Sequence, residues 1–128
     1  MKVPPRQIST FLRQPPAEIR AALLHGTDAG LIAERSKTLA LLYAADPGDV
    51  FSVTRLDGDQ LVREPGLVAD AAAAIAMFSD VRLVMVKGRG SDLLEACKLA
   101  LASDLSASFV VVEASDTTTR HAVVKLFE

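Results

Sequence analysis

Four short apolar runs, separated by segments with helical periodicity, constrain the fold of this chain more than any other feature. Strands that are apolar at nearly every position are typical of a parallel sheet covered on both faces. Strands that alternate with helices indicate the α/β class, because parallel strands need long connections that are usually helical. We therefore expect a three-layer fold with helices on both faces of a parallel sheet. The predicted strands are residues 19–25, 50–56, 81–86 and 109–113.

Helical periodicity predicts a short opening helix and four further helices between and after these strands. The segment of the third predicted helix contains Pro65 and Gly66, which we expect to break it near its start. Gly88 and Gly90 are expected to interrupt the regular secondary structure after the third strand. The predicted helices are residues 7–12, 31–43, 61–78, 92–101 and 119–127.

Length and composition exclude several classes of protein. With 128 residues, half of them hydrophobic, residues 1–128 form one domain with a real core. A formal net charge of -2 without blocks of like charge offers no electrostatic case for binding nucleic acid or a membrane surface. Cys97 is the only cysteine, so an internal disulfide is excluded. A single cysteine is consistent with the reducing interior of a cell. No signal segment or membrane-length apolar run is present, and the expected location is cytoplasmic.

The first predicted strand leads into a glycine loop and a helix, the layout that nucleotide-binding proteins use to hold phosphates. A working P-loop needs G-x-x-x-x-G-K-S/T, in which the lysine and the hydroxyl contact phosphate and magnesium. Counted from Gly26, those three final positions are Leu31, Ile32 and Ala33, and the nearby Gly30 is out of step. The three apolar side chains offer phosphate no donor and suit the buried side of a helix. We predict a degenerate nucleotide loop and no bound cofactor.

Other motifs are weaker. The segment from Gly88 to Leu93 resembles the start of a dinucleotide fingerprint, but Leu93 replaces the third glycine. An ordinary turn with Ser91 or Asp92 as helix N-cap is the favoured interpretation. Glu113 ends the fourth predicted strand where an active P-loop ATPase has its magnesium-organising acid, and without partners it is predicted to be a remnant.

The remaining polar groups give no metal or nucleophile site. His25 and His121 are not spaced as a metal pair. Cys97 lies in an apolar helical run, which favours a buried thiol over a nucleophile. Thr118 is predicted to cap the last helix, with Asp116 aiding its dipole.

Four segments together resemble one known family. They are P-P-R-Q-I-S-T-F-L, L-L-H-G-T-D-A-G-L-I-A-E-R, A-M-F-S-D-V-R-L-V-M-V and R-H-A-V-V-K-L-F-E. In this order and spacing they resemble the amino-terminal domain of the delta subunits of bacterial DNA polymerase III, which open the sliding clamp. The resemblance spans nearly the whole chain and implies an AAA+-like fold with a dead nucleotide site, followed by lid and collar domains that are absent here. It also implies a noncatalytic module within a DNA polymerase holoenzyme.

The same resemblance implies the partners. They are the sliding clamp (beta) and the other loader subunits, gamma or tau and delta prime, which are contacted mainly through the collar; DNA is contacted only indirectly, and no membrane is involved. Family members grip the clamp with an apolar pair at a helix end, and the matching residues here are Met77 and Phe78. Many members have leucine at the position of Met77, although methionine also suits an apolar pocket.

Helical periodicity alone gives a different interpretation of this pair. Phe78 falls on a stripe with Leu67 and Ala71, which favours a core position, whereas Met77 lies off that stripe and stays open. An exposed apolar pair at a helix end is also how a binding anchor is built.

A second function remains open from the residues themselves. The chain could be a small flavodoxin-like or nucleotide-binding α/β enzyme that uses the loop from Gly26 to Gly30, with a phosphate partner at the carboxyl ends of the strands. A phosphorylated receiver domain fits less well, because the first strand ends in His25 and Gly26 instead of paired acids.

The last predicted helix carries apolar residues to the end of the sequence, so we expect the natural chain to continue beyond Glu128. The AAA+ strand order 5-1-4-3-2 then implies a fifth strand beside residues 19–25. Without it, the first strand is an exposed apolar edge that favours self-association.

Overall fold

A computed structural model describes residues 2–43, 53–73, 81–115, 117–118 and 120–128, and the fold is α/β with one parallel sheet. A 3-10 turn at Pro5–Gln7 precedes the first helix. In chain order the elements are α1 Ile8–Arg13, β1 Ala21–Gly26, α2 Ala29–Tyr43, β2 Val53–Asp57, α3 Gly58–Arg63, α4 Leu67–Ala73, β3 Arg82–Arg89, α5 Gly90–Leu101, β4 Ser108–Ser115 and α6 Ala122–Leu126.

The four strands lie in the order β1-β4-β3-β2, and every neighbouring pair is parallel. Val110 of β4 shows the register of the inner strands, since it lies opposite both Ala21 of β1 and Val84 of β3. Within the described residues, β1 and β2 are the two edges of the sheet. The chain therefore crosses the whole sheet between β1 and β2, and then returns towards β1 strand by strand.

Two apolar cores lie on the opposite faces of this sheet, because successive side chains of a strand point to opposite sides. Leu83 and Phe109 belong to the core under α1 and α2, whereas Val84 and Val110 belong to the core under α3 to α6. The ring of Tyr43 at the end of α2 stacks on Phe109 at a centroid distance of 4.0 Å. The three-layer arrangement expected from the continuous apolar runs is confirmed.

The structure confirms each predicted strand and moves some boundaries. The predicted break at Pro65 and Gly66 is confirmed, since α3 ends at Arg63 and α4 begins at Leu67. The expected interruption at Gly88 and Gly90 is wrong, because Gly88 lies within β3 and Gly90 is the first residue of α5. The first part of the predicted second strand, residues 50–52, lies outside the described residues.

Strand β3 passes directly into α5, and the chain is closely packed at this junction. A Cβ added at Gly88 would be 3.0 Å from the Cα of Gly58 and 3.0 Å from a methyl group of Leu93. A Cβ at Gly90 would be 2.9 Å from the hydroxyl oxygen of Thr117. Both glycines therefore mark close approach of backbone to neighbouring elements.

Candidate functional site

The connection from β1 to α2 is the segment in which the sequence predicted a degenerate nucleotide loop. It contains only Thr27 and Asp28, since β1 ends at Gly26 and α2 begins at Ala29. Gly26 has a φ of 140°, a backbone conformation that favours glycine. Gly30, the expected end of the loop, is the second residue of the helix. A loop that wraps a phosphate group needs more chain than these two residues provide.

The side chain of Asp28 closes the amino end of α2. Its Oδ1 accepts a hydrogen bond from the backbone N–H of Leu31 at 3.0 Å, while the N–H of Ile32 donates to the carbonyl of Asp28 at 3.1 Å. Free backbone N–H groups and a positive dipole end are what a phosphate uses at a helix terminus. Here a carboxylate already satisfies part of that donor set and places negative charge where the phosphate would lie.

The three apolar residues at the P-loop positions counted from Gly26 do not share one environment. Ile32 is buried at 7% exposure, but Leu31 is 39% exposed and Ala33 is also exposed. The expectation that all three lie on the buried side of the helix is therefore correct for Ile32 and wrong for Leu31 and Ala33. Successive helical residues are rotated by about 100°, so three consecutive side chains cannot occupy one face.

Glu113 lies in β4 on the α2 face, two residues before the end of the strand. Its Oε2 accepts a hydrogen bond from the hydroxyl of Ser36 on α2 at 3.1 Å, and Ser36 is buried. Ser36 was not predicted as a site residue, although a serine among the apolar positions of a helix is a signal for a buried hydrogen bond. The partner of Glu113 in this structure is therefore a neutral hydroxyl that links α2 to the sheet.

Charged residues of three neighbouring strands lie opposite one another at Glu113. Lys87 of β3 lies opposite both Glu113 of β4 and Asp57 of β2, so the charges alternate across three neighbouring strands. Together with Arg55 and Gln60 they line a shallow cleft of about 220 Å³. The balance of two basic and two acidic side chains gives this cleft no preference for an anionic ligand.

Asp57 has a structural role at the same edge of the sheet. Its side chain accepts from the N–H of Gln60, and the Gln60 side chain accepts from the N–H of Asp57, both at 3.0 Å. This capping box begins α3 directly after β2. The D-x-x-Q pattern from Asp57 to Gln60 is a sequence signature of such a cap.

The predicted clamp-binding pair, Met77 and Phe78, lies outside the described residues, between the end of α4 and the start of β3. Within α4 itself, the fully buried positions are Val68 and Ala72, while Leu67 and Ala71 are half-buried. The buried stripe of the described helix is thus displaced by one residue from the stripe used in the sequence analysis. Leu67 and Ala71 still pack against the core under α3 to α6, and the interpretation of Phe78 stays a prediction.

The predicted helix caps after β3 and β4 are wrong. Arg89 is the N-cap residue of α5 and makes no side-chain cap, so neither Ser91 nor Asp92 caps this helix. Helix α6 is capped by His121, whose Nδ1 accepts from the N–H of Val123 at 3.1 Å, and not by Thr118. Because β3 runs into α5 without a loop, the dinucleotide-like glycines enclose no phosphate site. Asp116 lies outside the described residues.

The other titratable candidates are structural. Cys97 is 2% exposed in the core under α5, and burial raises the pKa of its thiol to about 12. Among the described residues, no group of three or more histidine, cysteine, aspartate or glutamate side chains could hold a metal ion. In the same part of the chain, none of the helices combines the length and the apolar character that crossing a membrane requires.

Comparisons with protein-family models, curated proteins and solved structures returned no match to this chain.

Proposed function

We propose that this chain is a noncatalytic protein-binding domain of the clamp-loader delta type. In this role it binds the sliding clamp and helps to open one interface of the ring, so that the loader can place the ring on primed DNA. The proposal combines the sequence resemblance with the geometry of the turn between β1 and α2.

The closed turn is the structural observation that most directly supports a binding role over an enzymatic one. Thr27 and Asp28 span the connection, and the Asp28 carboxylate accepts from the helix amide that would otherwise face a ligand. An ATPase of P-loop type needs a longer glycine loop with free amides, a lysine and a hydroxyl. A domain that keeps the strand and helix but lacks these parts fits a module that has retained the fold for protein contacts.

The sheet order provides a second argument. The observed order β1-β4-β3-β2 equals the AAA+ order 5-1-4-3-2 without its fifth strand. It differs from the flavodoxin-like order 2-1-3-4-5, in which β1 lies between β2 and β3. The topology therefore supports an AAA+-like assignment and disfavours the flavodoxin-like and receiver alternatives.

Within this proposal, Met77 and Phe78 are the anchor that enters an apolar pocket of the clamp. An apolar pair inserted into a partner pocket is a small buried hot spot, and such pairs dominate the binding energy of many interfaces. The gamma or tau and delta prime subunits are further partners, contacted mainly through a collar domain, and DNA is reached indirectly. The proposed location is the cytoplasm.

The direct test is the double variant Met77→Ala with Phe78→Ala, assayed for binding to a purified sliding clamp. Hot-spot residues contribute about 2 kcal/mol or more each, so we expect the double variant to lose about 4 kcal/mol, which is roughly a 700-fold loss of affinity. The matched control is Leu99→Ala, since Leu99 is an exposed leucine (48%) on α5, and it should bind normally. A folded double variant with unchanged affinity would contradict the site assignment.

A second arm separates the binding module from a nucleotide enzyme. Calorimetric titration of the chain with ATP, with and without magnesium, should give no binding heat. Saturable binding that is weakened by substitutions at Gly26 or Asp28 would contradict the interpretation of the turn as closed.

A further inference from the structure

Arg20 is a half-buried cation at the amino-terminal edge of the sheet. It directly precedes β1, and its Nε–H donates to the carbonyls of Leu105 and Ser108 at 3.4 and 3.0 Å. These carbonyls belong to the start of β4 and the loop before it, so the guanidinium is fixed between two neighbouring strands. Burial raises the pKa of the Tyr43 hydroxyl, and the positive charge of Arg20 partly opposes this, which places the guanidinium near the end of α2.

Most of the hydrogen-bonding capacity of this guanidinium is directed elsewhere. The two carbonyls share one of its five N–H donors, and the other four are on the two Nη atoms. Within the described residues, no acidic side chain forms an ion pair with Arg20. The neighbouring loop contains Asp104, but its Oδ1 accepts from the N–H of Ser106 at 2.9 Å. Arg20 is therefore a pre-oriented cation whose counter-ion is not among the described residues.

The position of Arg20 is close to the segment that carries the proposed anchor. Ala21 and Val84 lie opposite the same residue of β4, so β1 and β3 enter the sheet at one edge, two strand spacings apart. Two spacings are about 10 Å. Phe78 precedes the first residue of β3 by four positions, a reach of at most about 14 Å. An interface of standard size covers roughly 800 Å² per partner, a patch about 30 Å across, so one partner can contact both.

We propose that Arg20 pairs with an acidic side chain of the sliding clamp, beside the pocket that receives Met77 and Phe78. This inference rests on the proposed clamp-binding function and adds an ionic contact to it. A guanidinium that is held at its Nε can present its two Nη groups end-on to one carboxylate as a bidentate pair. Such a contact fixes the orientation of the partner around an apolar anchor.

The charges at this edge favour a single carboxylate over a nucleic-acid backbone. Phosphate binding relies on several clustered cations. The neighbouring loop contains the acidic Asp104, and Arg82, which begins β3, donates to the hydroxyl of Thr54 in β2. One outward guanidinium therefore matches one acidic side chain better than a polyanion.

The test measures binding of the purified clamp to the parent chain and to Arg20→Gln at several salt concentrations. Removal of a paired charge should weaken binding about tenfold at low salt, and the difference should shrink at high salt because ion pairs are screened. Arg89→Gln is the matched control, since Arg89 is an exposed arginine at the opposite end of β3 and the net charge changes equally. It should bind like the parent. A purely structural role of Arg20 would not alter the salt dependence.

A second measurement uses the parent chain, so it remains decisive if Arg20→Gln folds poorly. Phenylglyoxal modifies accessible guanidinium groups, and mass spectrometry gives the extent of modification at each arginine. Saturation with the clamp should slow the modification of Arg20 at least about tenfold, because a carboxylate then covers its Nη groups. Arg89 should react as it does in the free chain.

The outcomes separate this inference from the proposed function. Equal affinity and equal salt dependence of Arg20→Gln and the parent would overturn the inference and leave clamp binding in place. Unchanged modification of Arg20 in the clamp complex would do the same. Loss of DNA affinity in Arg20→Gln, with clamp affinity unchanged, would assign the cation to phosphate groups and overturn the inference as well. A parent chain that does not bind the clamp would contradict the proposed function and this inference together.

Discussion

Asp28 is a single side chain that fixes the geometry of the turn after β1. It accepts the N–H of Leu31 at the third position of α2, which is where an N-cap residue normally acts. Its position immediately before an apolar helical segment is a recognised start signal. The sequence therefore contained enough information to predict this cap.

Replacing Asp28 by alanine should lower the free energy of unfolding by about 1 kcal/mol, because one helix amide loses its acceptor. Asp28→Ser is the matched control, since a serine oxygen can accept the same bond, and it should retain most of the stability. Urea denaturation monitored by circular dichroism measures both. Equal stability of the alanine and serine variants would show that the cap is not formed in solution.

At the same scale, burial along α2 could not be obtained from residue type. Leu31 and Ile32 are both large and apolar, yet only Ile32 is buried, because the face of the helix that meets the sheet depends on how α2 is rotated. A hydrophobic residue at the surface is common and carries little information by itself.

At the scale of the elements, helix α3 approaches strand β3 closely at two glycines, Gly58 and Gly88. A Cβ added at Gly88 would lie 3.0 Å from the Cα of Gly58 and 3.1 Å from the backbone N of Gly58. Backbone atoms cannot rotate aside as a side chain can. A side chain at Gly88 would therefore require a shift of the α3 or β3 backbone.

Gly88→Ala should destabilise the fold by about 1–3 kcal/mol through overpacking. Gly66→Ala is the matched control, because its Cβ would meet only an oxygen of Asp70, at 3.9 Å. That variant should be neutral or slightly stabilising, since alanine restricts the unfolded chain more than glycine. Thermal unfolding of the two variants and the parent protein measures both effects. A Gly88→Ala variant as stable as the parent would mean that α3 lies farther from β3 than in this structure.

Strands were more predictable than helix ends. Four apolar runs specify four buried strands, because both faces of this sheet are covered and nearly every position must be apolar. The start of α5 was missed because it depends on a tertiary contact, the packing of Gly90 against Thr117. The start of α6 was missed although its cap is local, since His121 accepts from the N–H of Val123 and histidine is not one of the usual N-cap residues.

In the whole molecule, Cys97 reports on the integrity of the larger core. It packs in the cluster that joins α3 to α6 with the sheet, and burial raises the pKa of its thiol to about 12 from an ordinary value of 9.0. Because the thiolate is the reactive form, labelling requires the core to open. We expect a thiol reagent to react at least about 1,000-fold more slowly with the native chain than with the chain in urea.

The same thiol gives a pH dependence. Its native pKa lies above the unfolded value, so the stabilisation is complete below pH 9 and decreases as pH rises towards 12. The difference in unfolding free energy between the parent and Cys97→Ala should shrink across that range. Rapid labelling at neutral pH, or a constant difference above pH 9, would contradict the buried position.

Strand order is the whole-molecule property that periodicity cannot supply. The apolar runs predict a parallel sheet, but the position of β1 at one edge, beside β4, followed only from the family resemblance. The clamp-binding assignment of Met77 and Phe78 rests on the same resemblance and stays a prediction. The topology and the proposed anchor therefore depend on different parts of the chain, and only the topology lies within the described residues.

The two-residue connection between β1 and α2 has a consequence for how such a domain could change over time. Lysine and threonine placed at Ile32 and Ala33 would lie on turns of a helix that has already begun at Ala29. Point substitution therefore cannot create a phosphate loop here, and an insertion into the backbone would be required first. Single-base changes are frequent and in-frame insertions at one site are rare, so this connection would act as an evolutionary barrier to gaining nucleotide binding.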